Sequence, residues 1–222
     1  MPAAIIFDVD GTLLDSNDYH ATAWCGAFAQ FDKQVPFERI RPQIGKGSDQ
    51  LMPVFLSPEE MERDGERLKA CRERIFKEKF LPLVRPFPKV RELFERIKAD
   101  GTLIALASSG SEKEVDEYKQ IANVADLLES HTSSDDADRS KPHPDIFLAS
   151  LENLGDIDPS KVIVVGDTPY DAIAAGKAEM RTVGVLCGGF PEADLRNAGC
   201  FAIYRDPAHL LAEFDASPLT SK

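Results

Sequence analysis

Positive charge is scarce in this chain: 26 lysines and arginines stand against 38 aspartates and glutamates, a formal net charge of -12 over 222 residues. So acidic a balance repels nucleic-acid backbones and anionic membrane surfaces, and neither is an expected partner. Cysteine is sparse too. Cys25, Cys71, Cys187 and Cys200 are scattered, with no C-x-x-C pair and no ligand-like spacing to the four histidines, which argues against structural zinc and a disulfide scaffold. No stretch approaches the roughly 18 apolar residues of a membrane span, and the N-terminus lacks a basic segment followed by an apolar run. Internal repeats and low-complexity tracts are missing as well. What remains is an ordinary globular composition, 43% hydrophobic and 29% charged, for which a cytoplasmic, reducing setting is the expectation.

Short apolar runs punctuate the chain. Ala3 to Val9 (AAIIFDV), Thr102 to Ala107 (TLIALA), Lys161 to Val165 (KVIVV) and Arg181 to Leu186 (RTVGVL) read as buried strands that stop at small or polar residues, with Phe201 to Tyr204 as another. Helical patterns lie between them, at Lys89 to Ala99, Glu112 to Ala122, Asp145 to Asn153, Tyr170 to Ala178 and Ala208 to Phe214. Strands alternating with helices predict an α/β fold, a mainly parallel sheet with helices on both faces and its ligand site at the carboxyl ends of the strands. From about Ser16 to Arg85 the alternation breaks and only helical periodicity is found, which predicts an inserted all-α domain of residues 16–85 within a core of 1–15 and 86–222. One face of its first helix carries His20, Trp24, Phe28 and Phe31; its longest helix, around Glu59 to Phe80, carries Met61, Leu68, Cys71, Ile75 and Phe80.

The strand ends carry the chemistry. In Phe7-Asp8-Val9-Asp10-Gly11-Thr12, alternation puts the Asp8 and Asp10 side chains on one side, and like charges so close call for a cation between them or a proton on one. The second run ends in Ser108-Ser109-Gly110-Ser111 and leads into a helix whose free amides, with the Ser108 hydroxyl, suit a phosphoryl oxygen; Ser111 is a good helix cap. Lys141 precedes Pro142-His143-Pro144, and Gly166-Asp167-Thr168-Pro169-Tyr170-Asp171 adds an acid at a strand end and another one turn later. Each feature alone has a plainer reading, as a turn former, a helix cap or a surface charge. Their conjunction at successive strand ends does not. A phosphate monoester dianion repels an attacking carboxylate until a metal and a lysine neutralise it. Mg²⁺, an octahedral oxygen-ligand ion, suits Asp8 and Asp167 and leaves Asp10 free for proton transfer.

In FDVDGT, Ser108, Lys141 and GDTPYD, taken in order, the chain resembles the haloacid-dehalogenase-like hydrolases. The resemblance implies a Rossmannoid core with a flap and an inserted helical cap, of the type found in phosphoglycolate phosphatases, sugar phosphate phosphatases and beta-phosphoglucomutase. It further implies a magnesium-dependent phosphatase acting on a small phosphorylated metabolite through a phosphoaspartate. Asp8 would be nucleophile and metal ligand, and Asp10 general acid and base with its carbonyl on the metal. Ser108 and the Ser109 amide would hold the phosphoryl group, Lys141 would steady charge, Asp167 would complete the metal site, and Asp171 would assist through metal-bound water. A mutase of the beta-phosphoglucomutase type is the alternative, suggested by His20 and the S-K-P-x-P-D-I-F stretch; against it, that mutase carries Glu-Asp where this chain has Gly166-Asp167. A phospho-receiver would be shorter and lack the insert. Two insert residues are candidates for contacts: His20, either a packed histidine of the first helix or a gate that positions Asp10, and Lys46 of Gly45-Lys46-Gly47-Ser48, either a solvated turn or a contact to substrate beyond the phosphate. The expected assembly is a monomer or dimer.

Overall fold

The computed structural model describes residues 2–220, so residues 1, 221 and 222 at the two ends of the expected core lie outside the described residues. Among the described residues, eight strands are β1 (Ala4–Phe7), β2 (Leu14–Asp15), β3 (Arg85–Pro86), β4 (Leu103–Ala107), β5 (Ser130–Thr132), β6 (Val162–Gly166), β7 (Arg181–Val185) and β8 (Cys200–Tyr204). The helices are α1 (Asn17–Gln30), α2 (Phe37–Ile40), α3 (Ser48–Leu51), α4 (Pro58–Ile75), α5 (Val90–Ala99), α6 (Glu112–Ala122), α7 (Asp145–Leu154), α8 (Pro169–Lys177), α9 (Glu192–Ala198) and α10 (Pro207–Ala212). Six strands form a parallel sheet in the order β5-β4-β1-β6-β7-β8, while β2 and β3 make a separate antiparallel pair. Because β1 lies between β4 and β6, the chain leaves it toward one edge and later returns to build the other, and the crevice of such a sheet opens at that reversal.

Side-chain alternation along β1 sorts the core. Ile5 and Phe7 pack with Ile104, Leu106, Ile163 and Val165 against α5, α6 and α10. Ala4 and Ile6 face the other way, with Ala105, Ala107, Val162 and Val164, against Ile146 and Phe147 of α7 and Ala174 and Ala175 of α8. Both faces are covered, which is why these strands read as unbroken apolar runs.

All four of α1–α4 lie between β2 and β3. His20, Trp24 and Phe28 of α1 are buried, as are Leu68, Cys71 and Ile75 of α4; Phe31, Met61 and Phe80 are only half-buried. Residues Phe76–Phe80 prolong α4 as a π-helical turn. The apolar surface of these helices belongs to the same cluster as Phe7 and Phe94, so the insert is packed onto the sheet. Polar ties add to this: the Tyr170 hydroxyl donates to the Pro42 carbonyl at 2.6 Å and the Ser140 amide to Asp49 at 3.1 Å.

Three elements differ from the sequence expectation. Strand β5 (Ser130-His131-Thr132) has no apolar run to betray it, and the β2–β3 pair is only two residues long on each side. Helix α9 follows Pro191 and offers one fully buried residue, Leu195, too few for a periodic signal. Among the described residues, no helix is long and apolar enough to cross a membrane.

Phe94 is fully buried and its ring lies 4.6 Å from that of Phe7, tying α5 to the strand that carries the site. Phe94→Ala should lower the unfolding free energy by about 3–5 kcal/mol, measured by urea denaturation. A loss under about 1 kcal/mol would show that this contact does not anchor α5.

Candidate active site

Three adjacent central strands deliver the acids and hydroxyls: Asp8 and Asp10 follow β1, Ser108 and Ser109 follow β4, and Asp167 follows β6. Lys141 arrives from the connection between β5 and α7, not directly from a strand end. Asp8 continues the ladder by donating its amide to Val165 O at 2.9 Å. The chain then turns at Gly11, whose φ of +76° lies in the left-handed region.

Asp8, Asp167 and Asp171 converge, with carboxylate oxygens within 4.8 Å of one another and all three side chains buried. One ammonium serves two of them. The Lys141 amine is fully buried, donates to Asp171 Oδ1 at 2.7 Å and makes a short contact to Asp8 Oδ1. Asp171 Oδ2 is occupied by the Thr168 amide and hydroxyl in the capping box that opens α8. Thr12 Oγ1 lies 3.2 Å from Asp8 Oδ2 and 3.1 Å from Asp167 Oδ1, yet a hydroxyl has one proton and serves one carboxylate at a time.

Burial pushes the Asp8 carboxyl up to about 7, against the pull of Lys141. Burial, with the neighbouring charges of Asp8 and Asp171, drives Asp167 well above the carboxylate range. Lys141 is held in its charged form: burial opposes the ammonium, and Asp171 and Asp8 outweigh that penalty. Three buried carboxylates with one ammonium are short of positive charge, and a hard divalent ion with oxygen ligands fits the deficit. A second acidic group, Glu112, Asp116 and His131, differs in this respect, since the Lys119 amine lies 2.6 Å from Asp116 Oδ1 and 3.3 Å from His131.

Asp10 stands apart from that cluster and is governed by the insert. Its Oδ1 accepts from the Ser16 hydroxyl and lies 2.8 Å from His20 Nε2. Arg72 NH2 is 2.7 Å from His20 Nδ1; an arginine only donates, so Nδ1 is the acceptor and the ring proton sits on Nε2, aimed at Asp10. Arg72 NH1 in turn donates to Glu114 Oε1 at 3.0 Å, while Glu114 Oε2 accepts from the Ser111 amide in the capping box of α6. Phe76 stacks on the imidazole at 3.9 Å. Burial opposes the Asp10 charge, and the hydrogen bonds of His20 and Ser16, with the charge of Arg72 behind the imidazole, outweigh it, holding the carboxyl below its usual range. His20 is thus both a packed histidine and a contact of Asp10.

A cavity of about 40 Å³ is lined by Asp8, Asp10, His20, Ser109 and Gly110. It adjoins an outer one of about 210 Å³, and Trp24, Lys46, Arg72 and Ser109 line both. Lys46 reaches the boundary, but its amine donates to Gln43 at 2.6 Å and lies over the Tyr170 ring at 4.8 Å. The Ser108 side chain is buried and accepts from the Gly110 amide at 3.1 Å, bracing the turn beneath the inner cavity. Thr12, Asn17, Arg72 and Glu114 were not singled out from sequence. Thr12 closes the FDVDGT motif; Ser111-x-x-Glu114 was legible as a capping box, but nothing local links Glu114 or Arg72 to Asp10.

A parallel sheet with buried acids, hydroxyls and a lysine at its central carboxyl edge defines an aspartate-centred α/β enzyme. The chain belongs to the haloacid dehalogenase-like hydrolases, whose family model matches residues 5–185. It is 30% identical to a probable phosphatase, IndB, of Dickeya dadantii, over 99% of each chain. It is 29% identical to a phosphoglycolate phosphatase of Nitrosospira multiformis, over 90% of each. The crystal structure of a hydrolase from Pseudomonas syringae superposes with a TM-score of 0.88 at 26% identity, covering 96% of this chain and 98% of that one.

Among the described residues Asp167 meets only neutral donors, so Asp167→Asn should stabilise the metal-free protein by about 1–2 kcal/mol through removal of an uncompensated buried charge. It should also abolish any stabilisation by added Mg²⁺. Thermal melts in EDTA and in Mg²⁺ check both; a less stable variant in EDTA would show that the carboxylate is already compensated.

Proposed function

We propose that the protein is a Mg²⁺-dependent phosphatase that hydrolyses a small phosphorylated metabolite through a phosphoaspartate on Asp8. The observation that carries this reading is the buried, cation-short group of Asp8, Asp167 and Asp171 around Lys141, beside a cavity lined by Asp8 and Asp10. Asp8, Asp167 and the Asp10 carbonyl would hold the ion, with Asp171 assisting from behind; when bound, the ion neutralises phosphoryl oxygens and lets two anions approach.

The substrate's phosphoryl group enters the inner cavity beside Asp8 and Ser109, where the Ser109 amide, with Ser108 and Lys141 buried behind that wall, would hold its oxygens. An Asp8 carboxylate oxygen forms a bond to phosphorus as the ester P–O bond breaks. Asp10 gives its proton to the departing oxygen. The phosphoryl dianion beside Asp10 favours the protonated form needed for this step, opposing the pull of His20. Asp10, now ionised, takes a proton from water; the resulting hydroxide attacks the phosphoaspartate, releasing phosphate and restoring Asp8. Residues 16–85 act as a cap domain on the core of 1–15 and 86–222, excluding bulk water from the inner cavity.

A phosphoglycolate-type substrate fits this reading, supported by the phosphoglycolate phosphatase of N. multiformis. Lys46 and Lys69 line the outer cavity with no carboxylate partner among the described residues, so they would meet an anionic tail. Against the mutase, a Cβ at Gly166 would fall 2.6 Å from Asp171 Cβ, leaving no room for a glutamate there.

Phosphate release should appear with Mg²⁺ and vanish in EDTA across a panel that includes 2-phosphoglycolate, hexose phosphates and an aryl phosphate. Asp8→Asn should abolish turnover while the variant still folds by circular dichroism, since Lys141 keeps its pairing with Asp171. Turnover in EDTA, or in a clean Asp8→Asn preparation, would refute the mechanism. His20→Ala should lower kcat/KM about tenfold or more and move its alkaline limb to higher pH, because Asp10 then holds its proton more tightly. An unchanged profile would leave His20 a packing residue.

A further inference from the structure

The first turn of α1 touches both acid-bearing loops. Asn17 and His20 stand three residues apart, on one face of the helix. His20 reaches Asp10, whereas Asn17 reaches Asp167: its Nδ2 donates to Asp167 Oδ2 at 2.8 Å and to the Gly188 carbonyl at 3.1 Å. The asparagine is buried, and its Oδ1 has no hydrogen-bond partner among the described residues.

Two glycines make room for this contact. A Cβ on Gly11 would lie 2.1 Å from Asn17 Nδ2 and 2.3 Å from Asp167 Oδ2, and one on Gly188 would lie 1.7 Å from that same carboxylate oxygen. Amide and carboxylate are clasped between two backbone segments that no side chain could replace. With Oδ2 held by Asn17, Oδ1 is the oxygen left facing Thr12, which bridges toward Asp8.

The geometry points to Asn17 as a positioning residue for the divalent-cation site, one that fixes the Asp167 carboxylate in its liganding orientation although it belongs to the helical insert. The inference rests on the reading of Asp167 as a cation ligand. A carboxylate without such a partner is free to turn about its terminal bond and must be ordered when the ion binds. Loss of outer hydrogen bonds of this kind weakens metal affinity about 10–100-fold. The site's affinity therefore depends on α1 as well as on the sheet.

Binding, not turnover, tests this. Mn²⁺ is titrated by the electron paramagnetic resonance of the free ion, and Mg²⁺ by calorimetry. The full-length proteins are wild type, Asn17→Ala, Asn17→Ser, Asp167→Ala and the Asn17→Ala/Asp167→Ala double variant, each checked by circular dichroism. Serine is well tolerated at a helix start, so Asn17→Ser carries the test if the alanine variant folds poorly. Both single Asn17 variants should bind about tenfold or more weakly, and Asn17→Ala should add less than about twofold in the Asp167→Ala background. Wild-type affinity in folded Asn17→Ala and Asn17→Ser, with Asp167→Ala weakened, would overturn the positioning role alone. So would a full Asn17 effect persisting without Asp167. Absence of binding in the wild type, or unchanged binding in Asp167→Ala, would instead overturn the cation-site reading on which it rests.

Discussion

The buried ammonium of Lys141 between Asp8 and Asp171 is the contact on which the rest of the site depends. Each of those carboxylates would be costly to bury alone, and a half-broken buried pair is strongly destabilising. Lys141 lets the chain place acids at the ends of its central strands. Asp171 adds rigidity by capping α8 through Thr168 with one oxygen while it holds the lysine with the other. A single carboxylate thereby joins the helix start, the lysine loop and the end of β6.

The compensation is incomplete. Asp167 lies beside Asp8 with only neutral donors, and the Asp8 carboxyl is pushed up to about 7, chiefly by burial. Such an imbalance would be a defect in a purely structural cluster. Beside a cavity it has the character of a binding or catalytic site, where stability is commonly given up.

Asp10 illustrates the opposite arrangement. Its partners come from elements far apart in the chain: Ser16 and His20 from the start of the insert, then Arg72 from α4 and Glu114 from α6 behind them. The hydrogen bonds run from core to insert and back to core. Displacement of the insert would remove His20 from Asp10 and alter the affinity of that acid for its proton, so the packing of α1 and α4 bears directly on the ionisation of Asp10.

Local pattern was enough for the parallel sheet, for helices rather than strands over most of residues 16–84, and for the places of Asp8, Asp10, Ser108 and Asp167 after strands, because apolar runs and the turns that end them are short-range features. It was not enough for β5, whose three residues are polar with only Thr132 fully buried, nor for α9, which buries too little to show a period. The charge deficit of the acid cluster, the orientation of His20, and the contacts of Asn17, Arg72 and Glu114 were decided only by tertiary structure. Asn17 and Asp167 are 150 positions apart, and a hydrogen bond between them exists only once the sheet order and the docking of α1 bring them together. Sequence by itself determined which chemistry the strand ends could carry; the fold decided which charges are compensated, because burial and distance, not residue type, set the energy of each ionised group.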